Sequence, residues 1–194
     1  MPNLRVVVLA SGTGTLFEAL ANRANEIGIE VVGLIADAKV AACERATSLD
    51  IPVTVLPMNV DRSTWDERLA TELNRLNPEL IVSAGFMKIL GPKVLENYLG
   101  RIINTHPALL PLFPGAHAVR DALKARVTVT GATVHFVDEG IDTGKIITSQ
   151  QVRVEPDDTE ALLHERIKVV ERELLIAVVR DFANGNIEFG DVVN

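Results

Sequence analysis

The sequence predicts an α/β protein with a doubly wound, mostly parallel sheet, an antiparallel C-terminal extension and a long final helix. Through the first part of the chain, apolar runs rich in valine and isoleucine alternate with amphipathic segments. Continuous apolar runs are typical of strands buried on both faces, and regular β–α alternation favours parallel strands joined by right-handed crossovers. Beyond this region, two strand-like runs flank a turn rich in glycine and aspartate, which predicts an antiparallel pair.

The predicted elements follow one another in chain order. The buried strands are LRVVVLA, EVVGLIAD, IPVTVLP, ELIVSAG and RIINT, and the helices between them are LFEALANRANEIG, AKVAACERATSLD, STWDERLATELNRLN and GPKVLENYLG. The antiparallel pair is GATVHFVDEGIDTGKIITSQQVRV. The final helix is TEALLHERIKVVERELLIAVVRDFANG, with Thr159 as its predicted N-cap and Gly185 as its end. No linker interrupts the series, so residues 1–194 are predicted to form a single domain.

Composition limits the functions that the chain can have. Hydrophobic residues make up 47% of the 194 residues, which is enough for a sizeable core, yet no apolar run reaches the ~18 residues of a membrane span. The N-terminus lacks the pattern of a signal peptide, and the single cysteine, Cys43, excludes a disulfide framework and a Cys-rich zinc site. A net charge of −7 argues against general nucleic-acid binding but not against a small anion. We expect a soluble cytoplasmic monomer or homodimer that acts on small molecules, away from membranes.

Three loops at strand ends are the predicted binding region, because doubly wound sheets bind ligands outside the carboxyl ends of their strands, near the switch in strand order. They are residues 11–16, 85–90 and 104–117. The first contains SGTGT between a strand and a helix, where small residues and free N–H groups favour a single phosphate. Phe17 occupies the third glycine position of the dinucleotide fingerprint, which argues against a dinucleotide. A tight turn without a ligand is the alternative.

The third loop contains the most informative residues. Asn104 and His106 are two residues apart at the end of a strand, so their side chains should point to the same side. An amide donor and an imidazole held together can stabilise an oxyanion and move a proton. In the later turn DEGIDTG, Asp142 could fold back onto His106 and raise the pKa of the histidine. Spacing does not support a metal site, and His135 and His164 are predicted to be a satisfied core histidine and a helix surface residue.

Four stretches, in this order and spacing, carry a family resemblance: SGTGT, AGFMKIL, INTHPALLPLFPGAHA and TVHFVDEGIDTGKII. Over nearly its whole length the sequence resembles the formyltetrahydrofolate-dependent formyltransferases, in particular the phosphoribosylglycinamide formyltransferases of purine synthesis. The resemblance implies a Rossmann-like fold and transfer of the formyl group of 10-formyltetrahydrofolate, a co-substrate, to the amine of glycinamide ribonucleotide. It also implies direct attack, with neither a metal nor a covalent intermediate.

The same resemblance implies specific roles for residues of this chain. The family's catalytic asparagine, histidine and aspartate fall on Asn104, His106 and Asp142. Asn104 and a protonated His106 would stabilise the oxyanion, while Asp142 would keep His106 charged and help a water to relay protons to the leaving nitrogen.

The binding residues are likewise implied by the resemblance. Those for the substrate are the phosphate loop and a glutamate that meets the amine: Gly12, Thr13, Gly14, Thr15, Leu16 and Glu171. Those for the folate are Arg62, Met87, Lys88, Ile89, Leu90 and Asn104. Leu16, Lys88 and Val119 stand where the family often has asparagine, arginine and a second histidine. Without the resemblance, Arg62 would be a solvated residue before a helix and Glu171 an exposed helix charge.

Other functions remain open beside the one that the resemblance implies. A formyltetrahydrofolate hydrolase would use the same three residues with water as the acceptor, but that class usually has a further N-terminal domain. A formyltransferase acting on initiator tRNA would be expected to add an RNA-binding domain and a basic surface. A nucleotide-binding module without catalysis would need only the Gly-rich loop and would leave Asn104, His106 and Asp142 unexplained.

Overall fold

The computed structural model describes residues 3–190, and these form a seven-stranded sheet with helices on both faces. The strands are β1 (Leu4–Ala10), β2 (Ile29–Ala36), β3 (Val53–Val55), β4 (Leu80–Ser83), β5 (Ile102–His106), β6 (Val129–Phe136) and β7 (Ile146–Arg153). The helices are α1 (Thr15–Asn22), α2 (Ala24–Ile27), α3 (Ala41–Ser48), α4 (Arg62–Leu76), α5 (Pro92–Tyr98), α6 (Ala118–Lys124) and α7 (Glu160–Ala183).

The spatial order of the strands is β3-β2-β1-β4-β5-β6-β7. Pairs from β3 to β5 are parallel, whereas β5–β6 and β6–β7 are antiparallel. The predicted mostly parallel sheet, antiparallel extension and long final helix are therefore confirmed. The strand order reverses between β1 and β4, which places the expected ligand crevice at the carboxyl ends of these two strands.

The sheet is buried on both faces by separate sets of helices. Side chains alternate along β1, so that Val6 and Val8 pack in a core with α1, α3 and α7, while Val7 and Leu9 pack in a second core with α4 and α5. This two-sided burial explains the continuous apolar runs of the central strands. A smaller cluster joins α6 and α7 to β6 and β7.

Most helix boundaries follow the local sequence signals. Thr159 caps α7, since its side chain accepts a hydrogen bond from the Leu162 N–H, and Gly185 follows the helix with a left-handed φ of 72°. The first predicted helix is interrupted at Arg23. Helix α6 was not predicted, because its short sequence follows a loop rich in proline. Within residues 3–190, no helix combines the length and apolar character that crossing a membrane requires.

Candidate active site

A cavity of about 550 Å³ opens at the carboxyl ends of β1, β4 and β5. Its walls include residues from all three predicted loops, from the turn between β6 and β7, and from α7. Of the predicted site residues, Arg62 does not line the cavity, and the rest do: Gly12, Thr13, Gly14, Thr15, Leu16, Met87, Lys88, Ile89, Leu90, Asn104, His106, Asp142 and Glu171. The fold thus brings together side chains that are far apart in the sequence.

Asp142 is the centre of a polar network in this cavity. Its Oδ2 accepts a hydrogen bond from the Gly115 N–H at 2.8 Å and lies 3.3 Å from His106 Nδ1. Its Oδ1 lies 3.5 Å from Asn104 Nδ2. The residue has a left-handed φ of 55°, a conformation that aspartate tolerates better than most residues. The acidic turn therefore folds over Asn104 and His106, as predicted.

The protonation of His106 differs from the prediction. Burial lowers the pKa of His106 below its usual value, and the Asp142 carboxylate and the Phe113 carbonyl oppose this effect only in part. His106 is only 4% exposed, so the loss of hydration outweighs the attraction to one carboxylate. Asp142 by itself does raise the pKa of His106, as predicted. The predicted overall rise is wrong, because burial lowers this pKa by more.

The hydrogen bonds of His106 nevertheless favour a charged ring once negative charge develops nearby. Its Nε2 lies 2.8 Å from the Phe113 carbonyl oxygen, which can only accept, so Nε2 carries a proton. Its Nδ1 faces Asp142, the pKa of which is lowered: burial raises it, but the neighbouring His135 ring, the Gly115 N–H and the His106 ring together outweigh burial. Both ring nitrogens of His106 therefore face acceptors, a geometry that an imidazolium satisfies fully.

His135 belongs to this network, although it was predicted to be a satisfied core histidine. It is buried, and its Nδ1 lies 2.7 Å from the Phe136 carbonyl oxygen, so Nδ1 is the donor. Its Nε2 can then accept from Asn104 Nδ2 at 3.2 Å, and it lies 3.6 Å from Asp142 Oδ1. The antiparallel register of β5 and β6 places His135 opposite Asn104. Sequence reasoning missed this residue because strand register cannot be deduced from an isolated apolar strand.

The Gly-rich loop is held in place by α3. Arg45 Nε donates to the Thr13 carbonyl oxygen at 2.9 Å, and the Ala42 N–H donates to the Gly12 carbonyl oxygen at 3.2 Å. Gly14 has a φ of 75°, and a Cβ there would lie 2.6 Å from the Cβ of Ala42. The packing against α3 is therefore enough to require glycine at this position. Gly12, in contrast, has open space around its Cβ position.

Residues 86–90 form a wall of different character. Met87 is 68% exposed and Ile89 is 46% exposed, so two large apolar side chains face solvent at the cavity. Lys88 forms an ion pair of 3.3 Å with Asp37. Arg62 donates from Nη2 to the Ile89 carbonyl oxygen at 2.9 Å, which puts it behind this wall. This arrangement suits a flat apolar ligand with polar edges.

Helix α7 supplies the remaining wall through His164, Lys168 and Glu171, spaced so that they share one helix face. Glu171 is only 4% exposed, so the alternative of an exposed helix charge is wrong. Burial raises the pKa of Glu171 to about 7, against opposing effects of a hydrogen bond with Thr105 and the charge of Lys168. His164 is half-buried and lines the cavity, contrary to its predicted surface position.

No group of three or more His, Cys, Asp or Glu side chains within residues 3–190 is arranged to hold a metal ion. The chemistry that this arrangement can support is that of hydrogen bonds and proton transfer between Asn104, His106 and Asp142. A buried carboxyl group with a pKa near neutrality lies on the same cavity. Perturbed pKa values in a concave site are typical of functional sites.

Comparison with known proteins identifies the family. The formyl transferase family model matches residues 4–179. The phosphoribosylglycinamide formyltransferase of Mycobacterium tuberculosis is 48% identical over 182 residues, which cover 92% of this chain and 85% of that protein. The human trifunctional purine biosynthetic protein adenosine-3 is 36% identical over 193 residues, 96% of this chain but 19% of the human protein.

Solved structures show the same relationship. Glycinamide ribonucleotide transformylase 1 from Symbiobacterium toebii has a TM-score of 0.93 and 34% identity, with 99% of this chain and 95% of that chain covered. Phosphoribosylglycinamide formyltransferase from Bacillus halodurans has a TM-score of 0.90 and 38% identity, with 94% and 97% covered.

Proposed function

The chain belongs to the formyl transferase family, and we propose that it transfers the formyl group of 10-formyltetrahydrofolate to the amine of glycinamide ribonucleotide in purine biosynthesis. The observation that carries the proposal is the single cavity in which Asn104, His106 and Asp142 meet a Gly-rich loop and an apolar wall. The names of the relatives, at up to 48% identity over most of the chain, point to the same reaction.

Each wall of the cavity suits one part of the two substrates. The Gly-rich loop leads directly into α1, so backbone N–H groups and the helix dipole favour the phosphate of the nucleotide. Met87 and Ile89 offer apolar contact to the pterin ring of the folate. Glu171 faces the cavity from α7 and suits the substrate amine, because an approaching ammonium group would stabilise its ionised form.

The reaction proceeds by direct attack. The neutral amine forms a bond to the formyl carbon, and the carbonyl oxygen becomes an oxyanion. Asn104 Nδ2, which faces His135 and Asp142 in the free protein, turns to donate to this oxyanion. His106, protonated from solvent before the attack, stabilises the oxyanion by its positive charge, and its two nitrogens already face acceptors. The bond from the formyl carbon to the folate nitrogen then breaks, and that nitrogen takes the proton that the amine loses, through Asp142 and a water.

This route uses neither a metal nor a covalent intermediate, because the amine and the formyl carbon react directly. We further propose that the chain acts as one domain in the cytoplasm. The seven strands share a single sheet, and one cysteine among 194 residues fits a reducing compartment.

The test is an assay of tetrahydrofolate release from 10-formyltetrahydrofolate, with and without glycinamide ribonucleotide. We expect release only with the nucleotide, together with an equal amount of formylated nucleotide. Equal release in water alone would assign the chain to formyltetrahydrofolate hydrolysis. Nucleotide binding without any release would reduce it to a nucleotide-binding module.

A further inference from the structure

Residues 86–90 lie between β4 and α5 without regular secondary structure, yet their backbone is tightly held. The Met87 N–H donates to Ser11 Oγ at 2.9 Å, and the Ile89 carbonyl accepts from Arg62 at 2.9 Å. At the end of the segment, the Gly91 N–H donates to Asp66 Oδ1 at 2.9 Å. Side chains from outside the segment therefore determine its position.

Of the side chains that hold this segment, Asp66 is the one whose hydrogen bonds would be most costly to lose. The residue is only 2% exposed, and its second oxygen, Oδ2, accepts from the Lys93 N–H at 2.8 Å. The carboxylate thus satisfies two backbone donors where α5 begins, and the dipole of that helix stabilises its charge. Loss of either N–H group would leave the buried carboxylate without one of its donors. Loss of the carboxylate would leave both N–H groups without an acceptor.

Other contacts of α4 with the same segment act together with Asp66. Arg62 lies one helical turn before Asp66, and Trp65 stacks on Phe86 with ring centroids 6.2 Å apart. None of these three α4 side chains lines the cavity. They face the hidden side of the wall that Met87 and Ile89 present to a ligand.

We propose that Asp66 is a positioning residue for the formyl donor, which determines folate affinity by fixing residues 86–90 without touching the folate. This inference rests on the proposed function, because it takes the wall of Met87 and Ile89 as the folate subsite. The nucleotide subsite is formed by the loop after β1, and α3 anchors Gly12 and Thr13 of that loop. Its side-chain link to residues 86–90 is at Ser11, at the start of the loop, so nucleotide binding should depend much less on Asp66 than folate binding does.

Two variants disturb the same contact from opposite sides. Asp66→Asn keeps the size of the side chain but replaces one acceptor by a donor that faces a backbone N–H. Gly91→Ala places a Cβ 2.5 Å from the Asp66 carboxylate and pushes it away, without a positive φ at position 91. Glu67→Gln is the matched control, because Glu67 is the next residue on α4 and is exposed.

The measurements are KM for each substrate, kcat, and folate affinity from the fluorescence of Trp65, the single tryptophan of the chain. For Asp66→Asn and Gly91→Ala, we expect KM and Kd for the folate to rise by roughly 10-fold or more, as for one unsatisfied buried polar group. KM for the nucleotide and kcat at saturating folate should stay within about twofold. Glu67→Gln should match the wild type.

Contrary results are distinguishable. A lower melting temperature with both KM values unchanged would show a purely structural role and overturn the inference, as would an equal rise in both KM values. If one variant does not fold, the other decides the outcome. Were the wild type to bind folate without formylating the nucleotide, the proposed function would fail, while the fluorescence titration would still support or overturn the role of Asp66.

Discussion

The Gly-rich loop of residues 11–16 and the wall of residues 86–90 follow neighbouring parallel strands, yet they present opposite chemistry to one cavity. Helix α1 begins at Thr15, soon after β1 ends at Ala10, whereas α5 begins only at Pro92 although β4 ends at Ser83. The short connection directs a helix N-terminus and small side chains towards the ligand. The longer one presents exposed apolar side chains. Both loops line the cavity because they lie at the switch in strand order. They suit different ligand groups because the chain between strand and helix is short after β1 and long after β4.

The two loops also differ in what supports them. Arg45 and Ala42 of α3 hold the Gly-rich loop, whereas Arg62, Trp65 and Asp66 of α4 hold residues 86–90. The two loops touch where the Met87 N–H donates to Ser11 Oγ. These helices lie in separate cores on opposite faces of the sheet. Substitutions in one loop or in its supporting helix should therefore mainly change the binding of one substrate. Substitutions of Asn104, His106 or Asp142 should instead affect the reaction between the two.

The largest effect is expected at Asp142, which belongs to neither loop. Asp142→Asn should lower kcat by about 10²–10³-fold with little change in either KM, because it disturbs the donors that face the oxyanion. Part of the loss should return as the pH falls, since His106 without the attraction of Asp142 gains its proton only at lower pH.

The measurement is a pH series of kcat and KM for the wild type and Asp142→Asn. Glu139→Gln, an exposed carboxylate in the same turn, is the control and should behave as the wild type. A folded Asp142→Asn protein with near-normal kcat would refute the central role of Asp142.

The second-largest effect is expected at Glu171, on the wall of the cavity that α7 supplies opposite the two loops. Burial raises the pKa of Glu171 in the folded state to about 7, from an ordinary value of 4.5, so ionisation of this carboxyl group destabilises the folded state. Glu171→Gln should raise the free energy of unfolding at pH 8 by on the order of 3 kcal/mol, or roughly 5–10 °C in Tm. The gain should shrink as the pH falls through 7 and vanish below about 4.5, where the glutamate is protonated in both states.

Thermal unfolding of the wild type, Glu171→Gln and the exposed control Glu173→Gln between pH 4.5 and 8 would test this. We also expect weaker nucleotide binding by Glu171→Gln. A stability difference that did not depend on pH would argue against a buried, titrating Glu171.

The Gly-rich loop gives the third prediction. Gly12→Val should raise KM for the nucleotide by roughly 10–100-fold, because its side chain would displace a charged phosphate from N–H donors. KM for the folate should not change. The fold should tolerate the substitution, since nothing lies within 4 Å of the Cβ position.

Gly14→Val is the informative contrast to Gly12→Val. It should reduce stability through its positive φ and its clash with Ala42, which would confound any effect on binding. Steady-state kinetics and thermal unfolding of both variants would separate the two effects. Normal nucleotide affinity in a folded Gly12→Val protein would remove this loop from the phosphate site.

The smallest effect is expected at the apolar wall. Met87→Ala should raise KM for the folate by about 5–30-fold, the contribution of one apolar side chain that becomes covered on binding. KM for the nucleotide should remain unchanged. Leu99→Ala, a comparably exposed apolar side chain that does not line the cavity, is the control. Equal effects of the two variants would show that Met87 does not contact the donor.

Local patterns in the sequence predicted most of the fold. Continuous apolar runs, N-cap residues and glycines act over a few neighbouring residues, so β1, β4 and α7 could be recognised without tertiary information. The same holds for the shared side of Asn104 and His106, which follows from the two-residue period of a strand. Helix α6 was missed because a segment of seven residues after a proline-rich loop has little periodicity.

The sequence by itself determined which chemical groups are available: a Gly-rich turn, the Asn104–His106 pair, and an acidic turn. Tertiary structure decided how they meet. The register of β5 and β6 brings His135 to Asn104, the left-handed turn brings Asp142 to His106, and the packing of α7 buries Glu171. Burial also reverses the predicted pKa shift of His106. These outcomes depend on distance and desolvation between segments far apart in the chain, and such quantities exist only once the chain has folded.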